Sequence, residues 1–418
     1  MNVGLLLLII MIVLSFLGVP IFVAIGIGTL VSLVSGGFPE IVVAQKLFTG
    51  MDSTSLLAIP FFMVAGNLMS RGISQKLVNI CNALFGWVKG SLGAVSVVAC
   101  AFFGAVSGSG VATCSAIGGV LMPAMDRDGY DKDFTAATIS ASSILGMMIP
   151  PALTLIVFGT SAETSVSDLF SAAMIPGIGM TLIFVIYVLI YAKRHNLPSK
   201  PRSNAKQIFA SLKEGIWALL MPVLILGSIF SGICTATESA ALAVVYALIV
   251  GFFIYKDLTI KECCRMFVDS GITTTAVLML VGLSKASSWV VTSSKLPDVL
   301  LGAMSGFANS KFMIMLLINL LLLLVGMIME SCAAVVMLTP LLLPLATSVG
   351  ITPTHFGVIM SFNLCIGLIT PPVGNCLMLG YSLAEANLLR TLKKIVPYIL
   401  LAIAWLMAIT YIPALCLY

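Results

Sequence analysis

The chain has 418 residues, of which 60% are hydrophobic and 9% charged, with a formal net charge of +5. Soluble domains carry roughly a quarter of their residues as charged side chains, so this composition excludes a soluble enzyme and indicates a membrane protein with many spans. In such a protein the net charge reports orientation and not a nucleic-acid partner. Most of the ten cysteines lie inside apolar runs without metal-ligand spacing, and we interpret them as small buried hydrophobes.

The first half, residues 1–192, is predicted to contain five spans and one hairpin. Between Lys89 and Asp126 lie 36 residues (126 − 89 − 1), fewer than the roughly 40 that two crossings require. Glycines and serines cluster in the middle of this interval, which therefore predicts a re-entrant hairpin. The predicted spans are 4–34 (bent at Gly18 and Pro20), 54–70, 74–88, 134–162 and 169–192, and the hairpin is 90–125.

A polar stretch, 193–214, is predicted to be a cytoplasmic linker to the second half, 215–418. Within that half, 215–230 either lies flat on the membrane or lengthens the next span. The predicted spans are 230–255, 272–293, 297–310, 354–381 and 395–417, and the hairpin is 312–347. The sequence thus predicts an all-α polytopic membrane protein with about ten spans and two re-entrant hairpins.

The two halves share landmarks at a constant distance. Gly146 and Gly367 are 221 positions apart (367 − 146), and so are Pro150 and Pro371 (371 − 150). Because five predicted spans precede the linker, the second half enters the membrane from the opposite side. This makes the halves inverted repeats, an arrangement common in secondary transporters.

The basic residues predict the orientation, because cytoplasmic loops carry an excess of them. With both termini outside, fourteen basic residues are cytoplasmic and six are external, and Lys285 lies within a span. The cytoplasmic set is Lys46, Lys89, Arg127, Lys132, Lys193, Arg194, Lys200, Arg202, Lys206, Lys213, Lys295, Arg390, Lys393 and Lys394. The external set is Arg71, Lys76, Lys256, Lys261, Arg265 and Lys311.

Double prolines, Pro150-Pro151 and Pro371-Pro372, fall inside two predicted spans. Proline lacks an amide hydrogen, so the carbonyls four positions earlier lose their helical donors. Those carbonyls belong to Gly146, Met147, Gly367 and Leu368. One interpretation is a pair of kinked helices whose carbonyls bond Ser or Thr side chains or water. The duplication favours the other interpretation, in which the carbonyls line a cavity and bind a hard cation.

Small and polar residues at the hairpin tips supply further candidate ligands. The tip at 107–110 reads SGSG and precedes a helical run, so its hydroxyls suit a cation and the helix N-terminus suits a carboxylate. The matching tip has Glu330, Ser331 and Cys332. A carboxylate in the membrane needs a cation, a partner or water, so Glu330 belongs either to an ion site or to a structural pair.

Two other charges lie in predicted spans. Glu238 is near a helix start and can bond its own N-terminus, which favours a structural role. Lys285 can reach the membrane surface, pair with an acidic group or attract an anionic substrate. The two histidines lie at the linker and at a span edge, so no histidine proton relay is predicted.

Several motifs match one known family in order and spacing, from the start of the chain to about residue 412: FFGAVSGSGVAT, MIPPA, GICTATESAALAVVYAL, GMIMESCAAVVMLTPLLLP and GLITPPVGN. They resemble the large membrane subunit (DctM type) of tripartite ATP-independent periplasmic (TRAP) transporters. The resemblance implies an elevator mechanism coupled to sodium ions in a bacterial inner membrane, with no enzymatic activity. It also implies two protein partners, a small four-helix membrane subunit and a periplasmic substrate-binding protein.

The family's sites are carried over to this chain by position. The first sodium site is predicted at Ser107, Ser109, Gly110, Gly146, Met147 and Pro150. The second is predicted at Glu330, Ser331, Cys332, Gly367 and Thr370. The substrate is predicted to contact Ser109, Thr113, Ser331 and Asn375. The family usually has a proline at position 331 and a serine at position 152, where this chain has Ser331 and Ala152.

The sequence and the resemblance together predict the large membrane subunit of a sodium-coupled importer of organic acids, such as dicarboxylates or acidic sugars. The termini are predicted to be periplasmic. The alternative is a stand-alone ion-coupled carboxylate carrier of related inverted-repeat architecture. An intramembrane enzyme or an assembly scaffold is the third class.

Overall fold

The computed structural model describes residues 2–197, 203–296, 299 and 310–416, and within these ranges every regular element is helical. The first half contains α1 Val3–Phe16, α2 Ile21–Ser35, α3 Ile41–Met51, α4 Ala58–Phe85, α5 Ser91–Ser107, α6 Gly110–Arg127, α7 Lys132–Ser143, α8 Leu145–Met148, α9 Leu153–Ser161 and α10 Val166–Arg194. The second contains α11 Ala205–Phe230, α12 Ala236–Ile249, α13 Ile260–Ser293, α14 Lys311–Gly326, α15 Ser331–Ser348, α16 Pro353–Gly367, α17 Asn375–Leu383 and α18 Leu388–Tyr411. A π-helical turn, Val250–Tyr255, extends α12.

Six helices in the described ranges are long and apolar enough to cross a membrane: α10, α11, α12 with its extension, α13, α15 and α18. The number rises to eight if two bent pairs each count as one span. One pair joins α3 to the start of α4 at 60°, and the other joins α7 and α8 to α9 at 41°. The chain is therefore a multi-pass membrane protein, and its described ranges contain six to eight spans against the about ten predicted for the whole chain.

Helix α10 shows how these spans divide lipid from protein. Four residues, each four positions after the last, are largely exposed, namely Ile178, Leu182, Ile186 and Ile190. A second set with the same spacing is fully buried, namely Met180, Phe184, Val188 and Ala192. Residues four apart share a helix face, so one apolar face packs inside the protein and the other faces the bilayer.

The predicted first span, 4–34, is wrong, because the chain turns back on itself. A Cβ placed on Gly28 would lie 3.1 Å from Met11, and one placed on Gly36 would lie 3.2 Å from Val3, so α1 and α2 are antiparallel. The turn between them contains Gly18 at φ +80°, a conformation that favours glycine. Helix α1 has 14 residues and is about 21 Å long, too short to cross a bilayer core of about 30 Å.

Other predicted spans merge into longer helices. The predicted spans 54–70 and 74–88 are largely one continuous helix, α4. The segment 215–230 is the second part of α11, which packs beside α12 through a hydrogen bond from the Tyr246 hydroxyl to the Trp217 carbonyl (2.7 Å). Helix α13 extends twelve residues before the predicted start at 272 (272 − 260), and predicted span 297–310 lies outside the described residues except for Val299 and Ser310.

The helices run between two ends of the molecule, and we name each end after a residue that lies there. At the Asn2 end, where α13 finishes, the Asn2 amide donates to the Ser294 carbonyl (2.9 Å). At the Lys132 end, the Lys132 ammonium lies 3.8 Å from Asp126 and 3.9 Å from Glu385. Helices α7 and α9 connect these ends through their break, and so do α16 and α17.

The two ends correct the predicted sides of several basic residues. Lys46 and Lys295 lie at the Asn2 end and not with Lys132. Lys76, Lys256, Lys261 and Arg265 lie toward the Lys132 end, since α12 finishes and α13 starts there and the Lys76 ammonium lies over the Tyr255 ring. The miscounted spans explain these errors, because each missed turn or merged helix reverses the side of the residues that follow.

Candidate functional site

A central cavity of about 490 Å³ lies where four interruptions of the helical backbone meet. Two are the hairpin tips, between α5 and α6 and between α14 and α15. The other two are the breaks between α8 and α9 and between α16 and α17. Six of the predicted site residues line this cavity: Ser107, Ser109, Met147, Glu330, Cys332 and Asn375.

The remaining predicted residues do not line the cavity. They are Gly110, Thr113, Gly146, Pro150, Ser331, Gly367 and Thr370. Thr113 and Ser331 are fully buried. The structure therefore brings both predicted sets to one place, but divides them into residues that face the cavity and residues that support it.

The first tip is held by hydroxyl groups. Gly108 ends α5 at φ +61°, and Ser109 caps α6 by accepting a hydrogen bond from the Ala112 amide (3.4 Å). The Thr113 hydroxyl donates to the Ser109 carbonyl (2.7 Å) and lies 3.1 Å from the Ser107 hydroxyl. Thr113 thus fixes the two serines that face the cavity and does not itself reach it.

The second tip carries the carboxylate. Glu330 caps α15, and its Oε2 accepts a hydrogen bond from the Ala333 amide (3.0 Å). The positive end of the helix dipole stabilises a negative charge at this position. Behind it, the Ser331 hydroxyl donates to the Leu364 carbonyl of α16 (3.4 Å). Glu330 thus has a structural partner and also presents charge to the cavity.

At the first break, α8 ends at Met148 and α9 begins at Leu153. The Met147 carbonyl has no helical donor because the residue four positions later is Pro151. It accepts a hydrogen bond from the Thr154 hydroxyl instead (3.3 Å). The Cys365 thiol donates to the same carbonyl at 3.9 Å, so each of its two lone pairs has a partner. The first break is therefore satisfied by side chains, as in a kinked helix, and Met147 also lines the cavity.

At the second break, the prediction of carbonyls without donors is wrong. The Leu368 carbonyl accepts the Cys376 amide (3.1 Å), and the Gly367 carbonyl accepts the Thr370 amide (3.0 Å). Gly374, at φ +56°, lies in the loop between the two helices, so one amide before the prolines (Thr370) and one beyond them (Cys376) replace the missing ones. The Thr370 hydroxyl donates to the Ile366 carbonyl (2.7 Å) and closes the turn.

Glycines bring each hairpin against its broken helix. A Cβ on Gly104 would overlap the Cα of Gly146, and one on Gly367 would overlap the backbone of Gly326. A Cβ on Gly110 would lie 3.2 Å from the Cys376 sulfur, so the first tip also touches the second break. These contacts are possible only without side chains, which explains glycine at the repeated positions.

The opposite wall of the cavity was missed from the sequence. It consists of side chains from α2, α4 and α13, among them Phe22, Met63, Asn67, Thr273 and Val277. The Asn67 amide also donates to the Ser270 hydroxyl (2.7 Å), which joins α4 to α13. A polar asparagine within an apolar run was the one signal available in the sequence.

Lys285 pairs with an acidic group, one of the three roles considered for it. Its ammonium donates to Glu163 Oε1 (2.9 Å), on the turn after α9. This hydrogen bond and the positive charge of Lys285 lower the pKa of the Glu163 carboxyl from 4.5. The pair lies in a separate polar crevice of about 500 Å³ at the Asn2 end.

Glu238 has the structural role predicted for it. Its Oε2 accepts hydrogen bonds from the Thr235 amide (2.8 Å) and hydroxyl (2.9 Å), while its own amide bonds the Thr235 hydroxyl, which forms a capping box at the start of α12. Such a box stabilises the helix N-terminus. His355 is buried, and its Nε2 contacts the Ile409 carbonyl (2.9 Å), away from the cavity.

The fold and the site define a class of protein. A largely apolar cavity in which a few polar groups converge between broken helices and hairpin tips, inside a bundle with an apolar outer surface, is the arrangement by which a membrane transporter shields a solute from lipid. In the part of the chain that the structure describes, there is no cluster of three His, Cys, Asp or Glu residues for a transition metal.

Comparisons with known proteins agree with this class. The family model described as tripartite ATP-independent periplasmic transporter, DctM component, matches residues 8–415. The isethionate TRAP transporter permease protein DctMQ of Oleidesulfovibrio alaskensis is 39% identical over 401 residues, which cover 95% of this chain and 63% of that protein. The chain thus spans less than two thirds of that relative's length.

Two further proteins are similar. The C4-dicarboxylate TRAP transporter large permease protein DctM of Pseudomonas aeruginosa is 36% identical over 375 residues, which cover 90% of this chain and 88% of that protein. The crystal structure of the Alcanivorax borkumensis YdaH transporter has a similar fold, with a TM-score of 0.63, 14% identity, and coverage of 88% of this chain and 86% of that one.

This chain belongs to the DctM component family of TRAP transporters. It is a transporter subunit and not an enzyme. The resemblance found in the sequence motifs is therefore confirmed.

Proposed function

We propose that this chain is the large membrane subunit of a sodium-coupled importer of organic acids and that it receives its solute from a periplasmic binding protein. The observation that best supports this is the central cavity. Its oxygen atoms, from Ser107, Ser109 and Glu330, suit a hard alkali cation. At the first tip, the N-terminus of α6 suits the carboxylate of a solute, whereas Glu330 already caps the N-terminus of α15.

We further propose that residues 1–192 and 215–418 are inverted repeats joined by the linker 193–214, of which the part from Ala205 onward is the start of α11. Helix boundaries support this at the offset of 221: α6 and α15 start at 110 and 331 (331 − 110) and end at 127 and 348 (348 − 127). Helices α7 and α16 start at 132 and 353 (353 − 132). Both halves also have a glycine contact between hairpin and broken helix.

An elevator mechanism is proposed from the two walls of the cavity. The hairpins and broken helices would move together, because their glycine backbones touch and cannot slide apart without opening a gap. Helices α2, α4 and α13 form the opposite wall and would belong to the static scaffold. The solute and its sodium ions would cross the membrane between these two bodies.

We propose that the Lys132 end is cytoplasmic and that the termini are periplasmic, in a bacterial inner membrane. At the Asn2 end lie Lys46, Lys285, Lys295 and Lys311. Toward the Lys132 end lie Lys76, Lys89, Arg127, Lys132, Lys193, Arg194, Lys206, Lys213, Lys256, Lys261, Arg265, Arg390, Lys393 and Lys394. Among the basic residues placed here, fourteen against four follow the positive-inside rule.

The proposed partners are a small four-helix membrane subunit and a soluble periplasmic binding protein, as in the family to which the chain belongs. The relatives' names mention isethionate and C4-dicarboxylate as solutes. For this chain we propose an organic acid, a dicarboxylate or an acidic sugar.

Uptake by the reconstituted complex tests the proposal. Proteoliposomes with both partners should accumulate labelled solute only with an inward sodium gradient. Ser109→Ala should raise the sodium concentration for half-maximal uptake, because it removes a hydroxyl that lines the cavity. Ser96→Ala is the matched control, since that buried hydroxyl bonds the Gly93 carbonyl within α5. Undiminished uptake without sodium contradicts the coupling, and full uptake by this chain alone favours the stand-alone carrier.

A further inference from the structure

A polar crevice of about 500 Å³ opens at the Asn2 end of the molecule, apart from the central cavity. Its walls are α3, the turn after α9, and α13. It contains two lysines, Lys46 and Lys285, and one carboxylate, Glu163, so its charged side chains sum to one positive charge. Hydroxyl groups complete the lining, from Thr49, Ser53, Thr160, Ser161, Ser288 and Thr292.

The ion pair in this crevice is asymmetric. The Lys285 side chain is 22% exposed and packs against Gly50, where a Cβ would lie 2.9 Å from the lysine Cγ. The Glu163 side chain is 83% exposed and sits on a turn at φ +55°. The ammonium is therefore fixed in the wall, while its carboxylate partner is accessible to solvent. A carboxylate from solution offers the same acceptor atoms to the same donor.

The crevice and the central cavity share two walls. Helix α9 lines the cavity at Leu153 and the crevice at Thr160, and α13 lines them at Leu280 and Lys285. These residue pairs are seven and five positions apart, which corresponds to about 8–11 Å along a helix. An anion held at Lys285 is thus about one or two helical turns from the cavity.

We propose that this crevice is an entry site for the transported acid, in which Lys285 binds the carboxylate of the solute in exchange for Glu163. The inference rests on the proposed transport of organic acids and adds a second binding site to it. With the Asn2 end periplasmic, the crevice faces the side from which the solute arrives. Lys46 adds attraction, and the hydroxyls replace part of the hydration of the anion.

The exchange predicts opposite effects for the two halves of the pair. Glu163 competes with the solute, so the apparent affinity is reduced by the fraction of lysine that it occupies. Glu163→Gln removes the competitor and should tighten binding. Lys285→Gln removes the ligand and should weaken it. A pair that only holds α9 to α13 would instead give the same effect when either partner is neutralised.

Calorimetric titration of the full chain with succinate, a C4-dicarboxylate, tests this. Nanodiscs of neutral phosphatidylcholine at constant ionic strength keep anionic lipid headgroups out of the crevice. We expect binding about threefold or more tighter for Glu163→Gln and about tenfold weaker for Lys285→Gln. Lys261→Gln, the same change at the other end of α13, should match the unmodified chain. Lys285→Arg should retain most of the affinity.

Shifts of the same sign in the two variants, or no succinate binding to the unmodified chain and to Glu163→Gln, would overturn the inference. Glu163→Gln changes an exposed side chain, so its result does not depend on whether Lys285→Gln folds. Opposite shifts without sodium-driven uptake would leave the entry site standing and reject the proposed coupling. Sodium-driven uptake together with affinity shifts of the same sign in the two variants would reject the entry site and leave the proposed coupling standing.

Discussion

Replacing Gly146 by alanine tests whether the broken helix is held against the hairpin by backbone contact. The added methyl would lie 2.6 Å from Thr113 Oγ1 and 3.1 Å from the Gly104 Cα. The first distance is 0.8 Å shorter than an ordinary contact (3.4 − 2.6). Displacing Thr113 breaks its bond to the Ser109 carbonyl, and the contact with the Gly104 backbone still requires the helix itself to shift.

The cost combines two terms. Overpacking a tight core costs about 1–3 kcal/mol, and loss of the Thr113 hydrogen bond costs about 0.5–1.5 kcal/mol. We expect Gly146→Ala to lower the free energy of unfolding, measured in mixed micelles with increasing dodecyl sulfate, by about 2–4 kcal/mol. Uptake should fall with it, because the shift separates Ser109 from the break.

A double-mutant cycle makes the test specific. Thr113→Ala removes the atom that the new methyl would strike, so the pair of changes should cost less than the sum of the two. Gly119→Ala is the control, because a Cβ there meets nothing within 4 Å and alanine favours the helix. Gly146→Ala with unchanged stability, or a cycle that is strictly additive, would refute the argument from backbone contact.

Three further results are expected. Glu330→Ala should cost about 0.5–2 kcal/mol of stability through loss of the helix cap. Glu330→Gln should cost less stability because glutamine keeps an acceptor. Both variants should nevertheless raise the sodium concentration for half-maximal uptake. Normal sodium dependence in Glu330→Gln would show that the Glu330 charge is not part of the ion site. Lys285 lowers the pKa of Glu163, so their pair is complete above the ordinary glutamate pKa and is lost as pH falls through the lowered one. The difference in thermal midpoint between the unmodified chain and Glu163→Gln should therefore be constant above about pH 5 and shrink in more acidic buffer; a difference that grows in acid would contradict the pairing. Trp405→Phe removes the donor to the Pro176 carbonyl (2.9 Å) and should lower unfolding stability by about 1 kcal/mol while leaving sodium dependence unchanged, as denaturation and uptake assays would show.

The helix interruptions could be predicted from the sequence because they depend on the chemistry of a few neighbouring residues. A double proline cannot continue a helix, and α8 and α16 both end a few residues before one. Glycine and serine at 107–110 mark a place where the chain reverses, and α5 ends there. The family was identified from these same segments, because they carry the chemistry of the site.

The number of crossings was harder to predict, because hydropathy reports how apolar a segment is and not where it turns. The apolar run at 4–34 is long enough for one span, yet it forms the α1–α2 hairpin. A polar turn at 70–72 suggested two spans where α4 is continuous. Each error changes the number of crossings by one, so the two together leave the predicted side of Lys89 unchanged.

Contacts between residues far apart in the chain could not be predicted from the sequence. Glu163 lies 122 positions from Lys285 and belongs to the turn after α9, which nothing in its own neighbourhood connects to α13. The cavity wall from α2, α4 and α13 is likewise set by packing between helices far apart in the chain. A pattern within one helix cannot report which other helix it faces.

The glycine contacts described above give the cavity two kinds of surface. On one side, backbone touches backbone at Gly104 and Gly146 and again at Gly326 and Gly367, so its shape is encoded in main-chain geometry and tolerates almost no change of residue. On the other side, Phe22, Asn67 and Thr273 protrude from regular helices and can be exchanged without bending them. Under the proposed function, we expect a new solute preference to be reached by substitution on the second surface, while the first surface keeps the proposed contacts to the acid and its ions.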